Sequence, residues 1–246
     1  MLPFTSREWI AALRSSIEQM PSDYIVLDVE TSGLDIGADY VLQLAQLVVR
    51  DRKIVHQSKV LLDWVGHGLL DAWELQHRMQ TTSRQMEKAG RTYRVNYDDL
   101  RANGCDPRMV FDELRQTLAH AIEHGAGVVG HNYVRYDGPI ISRHLLRFGH
   151  DPHATIVGGN VFDTGAIEKG RQLNLVPMYG EPMAVYASRM MDVRSRVRWK
   201  LDAHCADEYG LWARSGLRPE DAHDALSDCI LTHHLFEAMR ELLEAT

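Results

Sequence analysis

The stretch Tyr24-Ile25-Val26-Leu27-Asp28-Val29-Glu30-Thr31-Ser32-Gly33-Leu34 decides how this chain is read. Tyr24 to Val29 is a near-continuous apolar run, the mark of a strand at the centre of a sheet covered on both faces. Asp28 and Glu30 stand two apart at its end. On a strand that spacing sends both side chains from the same face, so both can ligate one metal ion. They come where a central strand opens toward the working edge of an α/β sheet. Thr31-Ser32-Gly33 reads as a turn, which leaves a plainer reading of Asp28 as a turn former.

Outward from this strand, Val41 to Val49 and Ile54 to Leu62 read as two more strands. The polar turn Asp51-Arg52-Lys53 between them predicts an antiparallel hairpin. Residues 63–106 form a polar segment without a clear strand, with Met79, Arg84 and Lys88 in a helix and Tyr93 and Tyr97 beyond it. Asp106, Pro107 and Gly125 mark the cap, first turn and end of a helix over Pro107–His124. A short strand at Gly127–Gly130 and a helix over Asp137–Phe148 follow. Ile156–Phe162 is strand-like and Thr164–Arg171 helical. Leu201–Tyr209 and Pro219–Leu243 are the last helices. Thr5 and Glu8 can form a capping box, which predicts an N-terminal helix over 6–19. With strands early, helices late and no linker-like stretch, the expectation is one α/β domain over 1–246, its core at about 22–243.

The composition narrows the function classes. The 246 residues are 45% apolar and 25% charged, ordinary for a globular protein. No apolar run is long enough to span a bilayer, and the N-terminus lacks the basic start and apolar stretch of a signal peptide. Cys105, Cys205 and Cys229 suggest no disulfide framework, so a cytoplasmic location is expected. A net charge of −7 argues against coating long nucleic acid by bulk electrostatics. It leaves room for gripping a strand end through metal ions. Arg189, Arg194, Arg196, Arg198 and Lys200 cluster, either as a solvated loop or as a phosphate-contacting strip.

Three further groups stand beside apolar segments. Asp137 follows Gly130-His131-Asn132-Tyr133-Val134-Arg135-Tyr136 and can cap the helix that begins there. His223 and Asp228 are five apart, a spacing that shares no face on an ideal helix, whereas Asp224 and Asp228 do. Four carboxylates brought together repel unless cations sit between them. Hard oxygen ligands without Cys suit Mg²⁺ or Mn²⁺, and the chemistry that uses two such ions is in-line displacement at phosphorus.

Taken together, these motifs resemble the DEDDh 3′–5′ exonuclease family, the DnaQ-like group of the ribonuclease H-like fold. The resemblance rests on Asp28-Val29-Glu30-Thr31-Ser32-Gly33-Leu34, on Gly130-His131-Asn132 followed by Asp137, and on His223 with Asp228. Phe162-Asp163-Thr164 and Leu201-Asp202-Ala203 are similar to lesser family segments. The resemblance covers about Tyr24 to Phe236. It implies a mixed sheet, an antiparallel meander followed by parallel strands, flanked by helices. It selects Asp228 over Asp224, and makes Asp28, Glu30, Asp137 and Asp228 ligands of two divalent cations, Mg²⁺ or Mn²⁺. His223 is then the general base, a role that suits imidazole because its ordinary pKa lies near neutrality. Thr31, Ser32, Gly33, Leu34, His131 and Asn132 would line the pocket of the 3′-terminal nucleotide. Gly33 would admit the backbone closely, and Leu34 would either wedge against the last base or pack in the core. Asp163 would be an acid behind the ligands.

The implied activity is release of nucleoside monophosphates from the 3′ ends of single-stranded DNA or RNA. Departures from the family pattern are the long segment at about 63–106, read as an insertion, Tyr93-Arg94-Val95-Asn96 where a His-Gly pair is usual, and the Gly180–Arg198 stretch. Gln172-Leu173-Asn174-Leu175-Val176 is similar to a sliding-clamp peptide without its aromatic end, which raises clamp or polymerase association as an expectation. Homodimers occur among freestanding relatives. Two rival readings are a nuclease-like module that binds nucleic acid without cutting it, and a zinc peptidase built on His120-Ala121-Ile122-Glu123-His124.

Overall fold

The strand β1 (Tyr24–Thr31) runs through the middle of a five-stranded sheet of order β3-β2-β1-β4-β5. The computed structural model describes residues 20–152, 161–178, 180–197 and 199–244; the N-terminal helix expected at 6–19 lies outside them. Strands β2 (Val41–Arg50) and β3 (Lys53–Leu61) continue from β1 as an antiparallel meander. Strands β4 (Gly127–Gly130) and β5 (Val161–Asp163) pair parallel on the other side. The mixed α/β sheet implied by the resemblance is therefore present. The β2–β3 turn is a two-residue turn with Asp51 at φ 45° and Arg52 at φ 64°. Two left-handed residues give the twist that a tight hairpin needs. The edge strand β3 is exposed and carries Lys53 and Lys59, charges that discourage a further strand from pairing there.

Alternation along β1 divides the core. Tyr24 and Val26 face one layer, with Phe162, Ala166, Tyr186, Cys205 and the helix α9 (Ala225–Glu244). Ile25, Leu27 and Val29 face the other, with α3 (Pro107–Glu123) and α4 (Asp137–Arg147). By the same alternation Asp28 and Glu30 point to the α9 side, the side from which Asp228 comes.

Residues 63–106 leave and return through one neck, where Asp63 N–H donates to Cys105 O at 3.0 Å and Cys105 N–H to Leu61 O at 2.8 Å. Helices α1 (Ala72–Lys88) and α2 (Tyr97–Asn103) lie within this excursion. Trp64, fully buried beside Tyr40, Phe111 and Phe148, donates its indole N–H to Val41 O at 2.7 Å and ties the neck to β2. Truncating such a side chain costs about 3–5 kcal/mol.

Past β5 come α5 (Thr164–Leu173), α6 (Met183–Asp192), one π turn (Leu201–Cys205), and the short helices α7 (Ala206–Glu208) and α8 (Leu211–Ser215). Of the strand expected over Ile156–Phe162, Val161 and Phe162 lie in β5, and the rest lies outside the described residues. Within the stretch read as a departure from the family pattern, Met183–Asp192 form α6, because Met183, Tyr186, Ala187 and Met190 recur at helical spacing and are buried. The last helix does not start at Pro219. Pro219–Asp221 make one 3₁₀ turn, the chain breaks with His223 at φ 62°, and α9 begins at Ala225.

Candidate functional site

The bulge in β1 between Glu30 and Thr31 ends the strand just where its two carboxylates leave it. Asp28, Glu30 and Asp228 each bring an oxygen within 4.8 Å of the others. Asp228 reaches them because α9 packs against β1 and β2. The start of α9 is fastened to the sheet by Ala225 N–H donating to Gln43 Oε1 of β2 at 2.9 Å. Asp137 joins from the opposite layer, accepting the Val29 N–H at 3.2 Å through Oδ1. It does not cap α4. Tyr136 holds the cap position and no side chain caps the helix, because the carboxylate is committed to β1.

The four acids sit in unfavourable company. Burial pushes Asp28, Glu30 and Asp137 well above the carboxylate range, and neighbouring carboxylates push Asp28 and Glu30 further. Burial raises Asp228 to about 7. For Asp28 the strongest influences after burial are Asp137, Asp228, Glu30 and Asp224, all acidic. A donor set made only of carboxylate oxygens and short of countercharge fits hard divalent cations. Asp224, the alternative partner, turns its carboxylate to Lys59 of β3 at 2.8 Å and caps Ser227 N–H at 3.3 Å.

His223 lies outside the helix, so the five-residue spacing never had to share a helical face. Its backbone N–H reaches Asp228 Oδ1 at 3.3 Å, and its Nε2 reaches Asp202 Oδ2 at 3.2 Å.

No family model matches the chain, and no curated protein matches it by sequence. Solved structures do. The zinc-bound complex of E. coli exonuclease I with single-stranded DNA superposes with a TM-score of 0.59 at 16% identity, over 91% of this chain and 42% of that one. The structure described as suggesting how exonuclease I achieves processivity gives 0.60 at 15%, over 92% and 43%. A product-bound exonuclease I gives 0.58 at 14%, over 92% and 46%. The chain has the fold of exonuclease I. It spans less than half the length of these structures.

Within the exonuclease I fold, the loop after β1 is braced from inside. Thr31 Oγ1 contacts Gly33 O and the Tyr136 hydroxyl, each at 2.6 Å. Ser32 is buried and donates to Asp39 Oδ1 at 2.9 Å. These two side chains are spent on the loop. Gly33 is required for a reason that the sequence did not suggest: a Cβ there would stand 2.4 Å from Asp39 Oδ2. Leu34 does not pack in the core; it is 73% exposed. Tyr93 donates to Thr31 O at 2.9 Å, which pins the 63–106 excursion beside Glu30.

On the other rim, buried Asp163 accepts N–H groups from Asn132, Val134 and Ala166, each at 3.0 Å. It caps α5 and holds Asn132 in its left-handed turn, φ 67°. His131 Nδ1 lies 3.0 Å from Thr164 Oγ1, its ring lies against Trp199, and burial lowers it to about 4, so it is neutral at pH 7. Tyr136, Asp39, Gln43 and Asp202 were not singled out as site residues from sequence. Only the position of Tyr136 beside Asp137, and that of Asp202 in a family-like segment, hinted at them.

The remaining candidates lie elsewhere. His120, Glu123 and His124 cluster on the exposed end of α3, with His124 Nδ1 on His120 O at 2.7 Å. His120 lines a groove with Tyr24, at the start of β1, about 13 Å along the strand from Asp28. Arg189 is taken up by Glu181 at 2.7 Å and by Val176 O at 3.1 Å. Arg194, Arg196 and Lys200 are exposed, and Arg198 lies outside the described residues. Gln172 and Leu173 end α5, with Gln172 donating to Glu168 at 2.6 Å. Among the described residues no helix is long and apolar enough to cross a membrane.

Proposed function

We propose that this chain is a metal-dependent 3′–5′ exonuclease that releases nucleoside monophosphates from single-stranded nucleic acid. The observation that carries the reading is the convergence of Asp28, Glu30 and Asp228 within 4.8 Å, with Asp137 and His223 beside them, on the fold of exonuclease I. The zinc-bound complex of that protein with single-stranded DNA supports a divalent cation and a DNA strand here; RNA ends remain within the same proposal.

In this reading Asp28, Glu30, Asp137 and Asp228 hold two ions, Mg²⁺ or Mn²⁺. When bound, such ions set positive charge against the attacking and leaving oxygens of an in-line displacement at phosphorus. The chain's own residues do the rest. His223 takes the proton of the attacking water. The braced loop presents Leu34 outward to the terminal base. His131 and Asn132 form the opposite rim. Tyr93 and Tyr136 hold the loop at the end of β1.

The test is a digestion panel of labelled single- and double-stranded DNA and RNA with free and blocked 3′ ends. Mononucleotide release from free single strands is expected with Mg²⁺ or Mn²⁺. It should stop in EDTA and in Asp28→Asn, and fall on the order of 10²-fold or more in His223→Ala. Digestion of a 3′-blocked strand would overturn the polarity, and wild-type rates in His223→Ala would overturn the base assignment. No release under any condition would favour the non-cutting module.

A further inference from the structure

We infer that Asp202 positions His223: its carboxylate holds the Nε2 proton of the ring and leaves Nδ1 as the atom that accepts the proton of the attacking water. This rests on the nuclease reading above and adds a residue and an atom to it.

Asp202 Oδ2 and His223 Nε2 are 3.2 Å apart, and both side chains are less than one quarter exposed. An ionised carboxylate only accepts hydrogen bonds, and a neutral imidazole has one donor and one acceptor nitrogen. In the neutral ring, the form that can act as a base, the proton therefore sits on Nε2 and the lone pair on Nδ1. The hydrogen bond from His223 holds the Asp202 carboxyl below its ordinary range, so it is ionised at neutral pH. The other end of His223 is held as well. Its backbone is left-handed at φ 62° and its N–H meets Asp228 Oδ1. Backbone and ring are thus tied to two different carboxylates, which leaves the imidazole little freedom to swing.

Asp202 is itself firmly placed. It sits on the π turn Leu201–Cys205, a backbone form frequent at functional sites, and Leu201 and Cys205 are buried in the core. Behind the turn lies a buried ionic brace. Arg171 spans both oxygens of fully buried Glu168 at 2.9 and 2.7 Å and reaches Glu208 at 2.5 Å. Tyr209 donates to Glu168 at 2.6 Å, and His204 Nε2 lies 2.7 Å from Glu208. Glu168, His204 and Glu208 have the spacing of a cation site, but Arg171 already supplies the positive charge between them. The cluster therefore serves as a brace that fixes the turn carrying Asp202.

Two measurements decide the matter. Steady-state kinetics on a labelled single-stranded oligonucleotide should show Asp202→Asn lowering kcat by on the order of 10–10²-fold with KM little changed. In a His223→Ala background the same change should cost nothing further, since a residue that acts only through the ring has nothing left to position. An equal loss in both backgrounds, or a wild-type kcat for Asp202→Asn, overturns the inference. Separately, ¹⁵N spectra of the histidine-labelled full chain in EDTA should show His223 protonated at Nε2 and bare at Nδ1, with Asp202→Asn abolishing that preference. A proton on Nδ1 in the wild type overturns it whatever the variants do. A wild type without nuclease activity but with the Nε2–H tautomer would overturn the nuclease reading and leave the Asp202–His223 arrangement standing.

Discussion

Asp228→Asn should make the metal-free protein more stable, although it removes an acid from the middle of the site. Asp228 rises from an ordinary 3.8 to about 7 because it is buried. A group whose folded pKa is raised contributes stability that is present below the unfolded pKa and lost as pH climbs through the folded one. Here the loss runs from about pH 4 to pH 7 and is complete above it. The rise is a little over three pH units, and at 1.36 kcal/mol per unit it amounts to about 4 kcal/mol at pH 8. Asn removes the charge while keeping an oxygen for the His223 N–H. In EDTA at pH 8 the variant should therefore gain up to about 4 kcal/mol, or on the order of 8–16 °C in Tm for a chain of this size. At pH 4 the gain should nearly vanish. Comparing variant with wild type at each pH cancels buried His131, His144 and His233, which burial lowers to about 4, 3 and 4 and which act in the opposite sense. Saturating Mg²⁺ or Mn²⁺ should shrink or reverse the advantage, because a cation that binds the folded wild type stabilises it. Thermal unfolding followed by circular dichroism reads all of this. A variant less stable than wild type in EDTA at pH 8 would refute the claim that the site carries unbalanced negative charge.

Three other changes probe the surroundings. Leu34→Ala removes a side chain that is 73% exposed, so stability should move by no more than about 0.5 kcal/mol while KM for an oligonucleotide rises; a fall in Tm would mean that the side chain packs after all. Arg171→Ala strands fully buried Glu168 without its cation and should cost about 3–5 kcal/mol in urea unfolding, part of it recovered by adding Glu168→Gln. Gly33→Ala drives a Cβ to 2.4 Å from Asp39 Oδ2. It should cost about 1–3 kcal/mol and weaken cleavage, and wild-type Tm together with wild-type cleavage would show that the loop can shift freely.

Local signals were strong where the structure is local. The apolar run of β1, the polar hairpin turn, and the Asp106-Pro107 start of α3 all lie where the sequence placed them, because strand alternation and helix caps act over a few residues. The helical spacing of Met183, Tyr186, Ala187 and Met190, which form the buried face of α6, is a signal of the same local kind. The nearby arginines divide: Arg189 is committed to Glu181, while Arg194 and Arg196 stay exposed.

The residue types of the site, and the resemblance that ordered them, were readable from the chain. Their individual duties depended on distant partners. Asp137 looked like a helix cap until the Val29 N–H, 108 positions away, took its oxygen. Asp224 and Asp228 were equivalent on a helical wheel until Lys59 took one of them and packing of α9 on β1 delivered the other. His223 had no readable aim, because the break before α9 depends on a side chain of β2 holding the Ala225 N–H. Local propensity determines which elements form. Which acid faces which neighbour is settled by hydrogen bonds and charges that meet only after the sheet and its two helical layers have closed around them.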